Sequence, residues 1–598
     1  MSPSPTVTPL YLDARGEPTY AIVHPAGAAT SRDTAVLLCP PFGWDEVCSY
    51  RSRREWAEQL ARAGYPTIRL SYPGTGDSGS FPRDPDRLEA WTAAVAAAAA
   101  HARGALGVRR VVAIGIELGG LLAYRATATG AAIDDLILWA TPARGRALVR
   151  QLSAFSKLEL AQVYEGLQPP PPLPAGELEA GGFLLSAQTV GALNGLALDE
   201  LTLPPGAARR ALLLDRDGIV LDPRLREQLE RCDVDVSLGS GRGYSAMTGH
   251  PQQAKAPAKV IASVKAWLDA QAGPSVAPSS SRAKVSERAE LELAGSGRIT
   301  EATLTIEQPF GALTAILSEP LGQRVPGLCA VLLNAGAVRR IGPNRMWVEA
   351  ARRWAAIGVP TVRLDLEGLG DSDGDPSPYA EDAGLYVPEL VPQVFACLDA
   401  LQQRGVADRF VLGGLCAGAY WSFHAALGDP RVIAALMVNP RALIWDPELL
   451  PARDAQGLAS QLFAWSKLRE QYSGARARRL ALWLALAPKR RLARRAGAGG
   501  GLDELDAAVD RLGASGKHAL FVFSEREPLV SELVSSGAMA KLERFENVTI
   551  ERVSVRDHTF RPTDSQRSVH EALDRALARE LGHASLEGPS PRDAAARA

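Results

Sequence analysis

Apolar residues in this chain gather in short unbroken runs, separated by longer stretches with helical character. In the first half the runs lie near 35–39, 67–71, 111–115, 135–140 and 211–215. In the second they lie near 329–334, 361–365, 410–414, 434–439 and 518–523. Runs without polar alternation are expected of strands buried on both faces of a parallel sheet. Between them, segments such as residues 91–102 (WTAAVAAAAAHA) are rich in strong helix formers. Strand and helix in alternation, joined by right-handed crossovers, give a doubly wound α/β sheet. Each half therefore predicts its own mostly parallel sheet.

The two halves repeat each other. AVLLCPPFG from Ala35 has a counterpart in AVLLNAGAV from Ala330. AGYPTIRLSYPGTGDSG from Ala63 matches IGVPTVRLDLEGLGDSDG from Ile357, so that Gly64, Gly74 and Asp77 correspond to Gly358, Gly368 and Asp371 at an offset of 294. A period of that length is too long for a solenoid repeat and indicates a duplicated domain. Residues 271–286, QAGPSVAPSSSRAKVS, read as a Pro/Ser/Ala-rich linker. The expected domains are 1–270 and 287–582, with a tail at 583–598. Each half also carries an insertion, at about 146–206 and about 445–515, placed to cap the C-terminal edge of its sheet, where α/β ligand sites lie.

Composition narrows the function classes. Of 598 residues, 46% are hydrophobic and 22% charged, which excludes a disordered chain. A net charge of -1 provides no field for nucleic acid. Six cysteines with no ligand spacing argue against a disulfide scaffold and a zinc site. No apolar run reaches the ~18–20 residues of a membrane span, and MSPSPTVTPL does not read as a secretory signal. A cytoplasmic enzyme without metal or cofactor, acting on a small-molecule or carrier-bound substrate, is the expectation.

The candidate chemistry sits at the end of a strand in the second half. FVLGG runs into Gly414-Leu415-Cys416-Ala417-Gly418, a G-x-C-x-G turn followed by the helical segment AYWSFHAAL. Such a turn needs small flanking residues, because strand and helix backbones approach closely there. It holds the central side chain at a helix N-terminus, where dipole and free amides favour a thiolate. The plainer alternative is a small buried cysteine at a tight turn. A nucleophile also needs a base and an orienting acid, in the chain order nucleophile, acid, histidine. Glu527, before Pro528, occupies a loop after the strand HALFVFS, with Glu525 as its competitor. His558 follows the last strand, NVTIERVSV, and alone among eight histidines combines that position with the right order.

With these residues in view, both halves resemble the α/β-hydrolase superfamily, and most nearly the bacterial serine-aminopeptidase-like hydrolases. The resemblance implies two tandem α/β-hydrolase domains, each with a helical cap. It implies an oxyanion hole built from the amide of Ala417 and one near Ala335 or Gly336, in the loop NAGAVRRIGPNR at 334–345. Cysteine in place of the usual serine is shared with dienelactone hydrolases and polyhydroxyalkanoate synthases. The expected activity is cleavage of an ester or thioester through an acyl-enzyme on Cys416. Transfer of the acyl group to an alcohol, amine or thiol acceptor is the alternative enzyme reading, and a non-catalytic binding or scaffold protein the alternative of another class.

The first half lacks a nucleophile of this kind. Its matching turn, Gly115-Ile116-Glu117-Leu118-Gly119, carries Glu117; Asp217 matches the acid, and His250 is the one candidate base. A degenerate site is the expectation there. GTGDS from Gly74 and GLGDS from Gly368 look superficially like phosphate loops, but lack the G-x-x-x-x-G-K-[ST] pattern and read as the turn after the second parallel strand. In the second insertion, residues 467–495 contain ten basic residues and one acidic residue. This stretch reads as a solvated lid face, or as a contact for acyl-CoA phosphates, an acidic carrier protein or an anionic membrane surface.

Overall fold

The computed structural model describes residues 7–27, 31–271, 286–293, 295, 297–380, 382–444 and 500–582. The basic stretch 467–495, the tail and nearly all of the linker lie outside the described residues. Among the described residues no helix is long and apolar enough to cross a membrane.

The chain builds two mixed α/β units. The first sheet takes β1 (Thr8–Ala14), β2 (Glu17–His24), β3 (Thr34–Cys39), β4 (Thr67–Leu70), β5 (Arg110–Ile116) and β6 (Asp135–Trp139). A short hairpin, β7 (Leu178–Ala180) and β8 (Phe183–Leu185), lies in the cap, and β9 (Arg210–Leu214) and β10 (Asp235–Gly239) complete the sheet. The strand order is β1-β2-β4-β3-β5-β6-β9-β10. From β4 onward every pair is parallel, while β1 and β2 form an antiparallel edge.

The second sheet repeats this plan with one more edge strand. It comprises β11 (Arg288–Leu293), β12 (Gly297–Gln308), β13 (Gly311–Pro320), β14 (Leu328–Leu333), β15 (Thr361–Leu364), β16 (Arg409–Leu415), β17 (Val432–Val438), β18 (His518–Ser524) and β19 (Val548–Val553). Their order is β11-β12-β13-β15-β14-β16-β17-β18-β19. The inner strands β3, β6, β14 and β18 are buried at every residue, the burial expected of runs sandwiched between helices. The antiparallel edges are additions to the pattern read from the sequence. β11 alternates exposed and buried residues, as a strand with one covered face must.

The two units meet along these edges. Tyr11, Tyr20 and Ile22 of the first sheet share an apolar cluster with Ala289, Leu291, Ile299 and Ile316 of the second. Beneath it lies a buried, reciprocal charge network. Arg69 pairs with Asp371 at 2.7 Å, and Arg363 pairs with Asp77. Arg363 follows Arg69 by the same offset of 294 that separates Asp371 from Asp77. Each half therefore presents an arginine and an aspartate to the same groups of the other, an arrangement with the logic of a two-fold dimer interface. Arg340 joins both aspartates, at 2.9 Å from Asp77 and 2.8 Å from Asp371, and also holds Asp365 at 2.6 Å. The GTGDS and GLGDS turns thus point their aspartates across the interface. Gly76 and Gly370 sit at φ 51 and 52, where a Cβ would run into Ser71 and Asp365 respectively.

Candidate active site

β16 delivers Cys416 into the turn before the helix Ala417–Gly428, with φ 59 and ψ -115. A left-handed φ on a residue with a Cβ is strained, and is kept where the surroundings over-determine it. The flanking glycines are required: a Cβ on Gly414 would collide with Gly418, and one on Gly418 with the carbonyl of Asn334. Ala417 is the first residue of the helix, where backbone N–H groups have no partner within the helix.

Three loops converge on the thiol. Behind β19, His558 presents Nδ1 to Glu527, at 3.0 and 3.1 Å from its two carboxylate oxygens. Glu527 stands at the residue before the helix Pro528–Ser536, and its carboxylate accepts a hydrogen bond from Ser524 Oγ at 2.7 Å. Asn439, after β17, ties the set together: its amide donates to Ser524 Oγ at 3.0 Å and to the His558 carbonyl at 2.7 Å. The other ring nitrogen of His558, Nε2, is buried and has no hydrogen bond of ordinary geometry among the described residues. With Nδ1 on Glu527, Nε2 is the nitrogen left for Cys416, and the two side chains shift each other's protonation. Burial alone would raise the thiol, but His558 outweighs it, helped by Arg441 and the Tyr386 hydroxyl, and holds Cys416 below the ordinary thiol range. Burial likewise opposes protonation of His558, yet Glu527 and Cys416 lift it well above the usual imidazole range. Cys416 and His558 are therefore biased toward a thiolate–imidazolium pair. Glu525 is half-buried, and its backbone N–H donates to Val555.

Several contributors carry no sequence signal. The Tyr386 hydroxyl lies 3.0 Å from Cys416 Sγ, on a segment of 3₁₀ turns without periodicity. Asn334, fully buried, donates to the carbonyl of Val338 at 3.1 Å and to Asp365 at 2.7 Å, pinning the turn that contains Ala335 and Gly336. Ala335 closes that turn by accepting from the amide of Val338, and Gly336 takes φ 58.

The first half keeps the strained turn without this set. Glu117 has φ 53 and ψ -109, nearly the conformation of Cys416, and is 3% exposed. Gln151 donates to it at 3.1 Å. Burial first, then the charge of Asp45, raise its carboxyl to about 8. Asp217 does not orient a base: its oxygens accept from the amides of Gly243 and Ser245, both at 2.6 Å. His250 is exposed and accepts from the Gln252 amide at 3.3 Å. Between about 4.5, the ordinary value for the unfolded chain, and 8, folded Glu117 retains a proton that the unfolded chain has lost, so this group's effect on stability becomes less favourable as pH rises through that window. Glu117→Gln keeps the shape and the bond from Gln151. The variant is expected to match wild type near pH 4 and to exceed it increasingly toward pH 8, measured by urea melts at several pH values. Glu117→Ala is expected to leave turnover within a few-fold of wild type.

No protein-family model matches the chain, and no curated relative matches it. Among solved structures, Est1E from Butyrivibrio proteoclasticus aligns with 17% identity and a TM-score of 0.31, over 44% of this chain and 98% of its own. XC6422 from Xanthomonas campestris, described as a member of the α/β serine hydrolases without a lid, aligns with 12% identity and a TM-score of 0.30, over 46% and 98%. Alpha/beta hydrolase domain-containing protein 10 from mouse aligns with 18% identity and a TM-score of 0.29, over 44% and 99%.

Proposed function

We propose that the chain is a hydrolase that cleaves an ester or thioester through an acyl-enzyme on Cys416. The observation that carries this reading is a thiol on a strained strand-to-helix turn, acting on a histidine whose far nitrogen is held by a buried carboxylate. The Cys416 thiolate attacks the carbonyl carbon, and the carbonyl electron pair moves to oxygen. The amide of Ala417, with one from the Ala335–Gly336 turn, stabilises that oxyanion. Collapse breaks the bond to the leaving group, which takes the proton from His558 Nε2. Water then attacks the thioacyl carbon while His558 accepts its proton, and collapse releases the acid and restores the thiolate. Glu527 keeps the His558 ring oriented and supports its charge. Tyr386 donates to the thiolate between turnovers.

Intact-mass measurement against a panel of acyl esters and thioesters tests this: an acyl adduct on Cys416 is expected, and its absence across the panel, with no turnover, contradicts the reading. Adding alcohol, amine or thiol acceptors to the same assay separates transfer from hydrolysis. The acid has its own test. Glu527→Gln should lower kcat on the order of 10²–10⁴-fold, and Glu525→Gln should leave it within a few-fold. The reverse order would move the role to Glu525.

A further inference from the structure

We propose that the first half is a positioning domain for the site in the second, and that it acts through two carboxylates of its cap, Glu159 and Glu179, on the loop that carries His558. This rests on the triad reading above. Between the end of β19 and the helix Thr563–Glu580, the chain runs through His558 with no strand or helix of its own. For His558 to bridge Glu527 and Cys416, this loop has to be held to within about 0.5–1 Å.

Much of its anchoring comes from the first half. The amide of Arg556 donates to the carbonyl of Val163 at 2.8 Å. Glu159, on the cap helix Gly145–Val163, pairs with Arg561 at 3.1 Å, and its other oxygen accepts from the Gly181 amide at 2.7 Å. Glu179, on β7, takes both donors of Thr563, the amide at 2.7 Å and the hydroxyl at 2.6 Å. Both carboxylates are 8% exposed. The Arg561 guanidinium lies 4.8 Å from the centre of the Trp44 ring and holds Asp557, the residue before His558, at 3.0 Å. The line of contacts therefore runs from Glu159 through Arg561 and Asp557 to the histidine. Gly182, in the hairpin turn, sits so close that a Cβ would strike the carbonyl of Arg561. The insertion foreseen as a cap over the first sheet reaches the second half's histidine loop as well. Charge-assisted hydrogen bonds shielded from water suit a positioning task, because they fix direction as well as distance.

The test uses the full chain, with two mild changes. Glu159→Gln/Glu179→Gln keeps the volumes but removes both charges, and Thr563→Val removes the hydroxyl from the other side of the contact. Turnover is measured alongside the pH dependence of Cys416 alkylation by iodoacetamide and the thermal unfolding midpoint. Expected in both variants are a kcat about 10- to 100-fold lower with KM little changed, and alkylation that shifts toward the ordinary thiol range. Glu165→Ala, which removes the exposed partner of Arg556, serves as control and keeps wild-type values. Wild-type kcat and alkylation in both variants would overturn the proposal. So would outright unfolding of both, which would make these contacts general stabilisers. If wild-type Cys416 itself shows no preferential alkylation below the ordinary thiol range, the triad reading fails instead.

Discussion

Replacing Cys416 with Ala should abolish turnover, by a factor on the order of 10⁴ or more, while the chain stays folded. Alanine retains the Cβ, so the cost of φ 59 at the turn is the same before and after the change. The side-chain interactions given up are those with His558 and Tyr386. Cys416→Ser keeps the geometry with a weaker nucleophile, and weak esterase activity is the expected residue. The thiol should also declare itself chemically. Burial pushes Cys39 and Cys397 up to about 12 and raises Cys48 and Cys329 as well. Cys416 moves the other way. Iodoacetamide near pH 6 should therefore label Cys416 ahead of Cys232, the other partly exposed thiol, and mass mapping of the labelled peptide checks it. Full activity in purified Cys416→Ala would rule the mechanism out.

The parallel core of each sheet was legible because its strands are buried on both faces, and such strands announce themselves as unbroken apolar runs. The edge strands were not. β11 reads RAELEL, and its buried alanine and leucines make sense only once the other half covers them. The turn at Cys416 and the order of Glu527 and His558 were also legible, since a strained turn demands glycines and a strand-end loop demands a position in the chain. The place before Pro528 favoured Glu527 over Glu525 without excluding Glu525; in the fold it is Glu527 whose carboxylate meets His558 Nδ1. Tyr386 and Asn439 left no trace, since each reaches its partner through a loop whose path depends on tertiary packing. Asp217 was matched to the acid by alignment alone, and two backbone amides claim it instead. Most hidden of all was the interface. Arg69, Asp77, Arg340, Arg363 and Asp371 look like surface charges in sequence, and the offset of 294 that links Arg69 to Arg363 and Asp77 to Asp371 reads as a repeat without showing that the halves grip each other.

Removing Arg340 should be the most destabilising single change in the interface, at about 3–5 kcal/mol. Its side chain is fully buried, and it neutralises Asp77, Asp365 and Asp371 together. Arg340→Met fills much of the volume but leaves three carboxylates with one cation fewer. Arg69 and Arg363 remain for Asp371 and Asp77, so the damage concentrates at Asp365, where Asn334 and the amides of Arg340 and Asp371 are the donors left. Asp365 also anchors the Ala335–Gly336 turn through Asn334, so the lost charge should reach the candidate oxyanion hole and lower kcat. By contrast, an exposed pair across the same two halves, Arg556 with Glu165, should contribute about 0–1 kcal/mol. The carboxyls of the network differ: burial raises Asp365 above the ordinary range even with Arg340 beside it. Asp77 and Asp371 are held below the ordinary carboxylate range by their arginines, despite burial that works the other way. Glu301, which shares Arg352 and Arg363, is held down to about 2. A depressed carboxyl stabilises the fold at every pH above its unfolded value, and the contribution disappears as pH falls through the folded one. For Glu301 that loss runs from about 4.5 down to about 2. Arg340 lowers the carboxyls of Asp77, Asp365 and Asp371 alike, so wild type should hold its advantage over Arg340→Met at pH 7 and lose it progressively in acid. Urea melts of both chains at pH 7 and pH 3 measure this: a gap under about 1 kcal/mol at pH 7, or a gap that widens in acid, would mean that the network does not join the halves as argued.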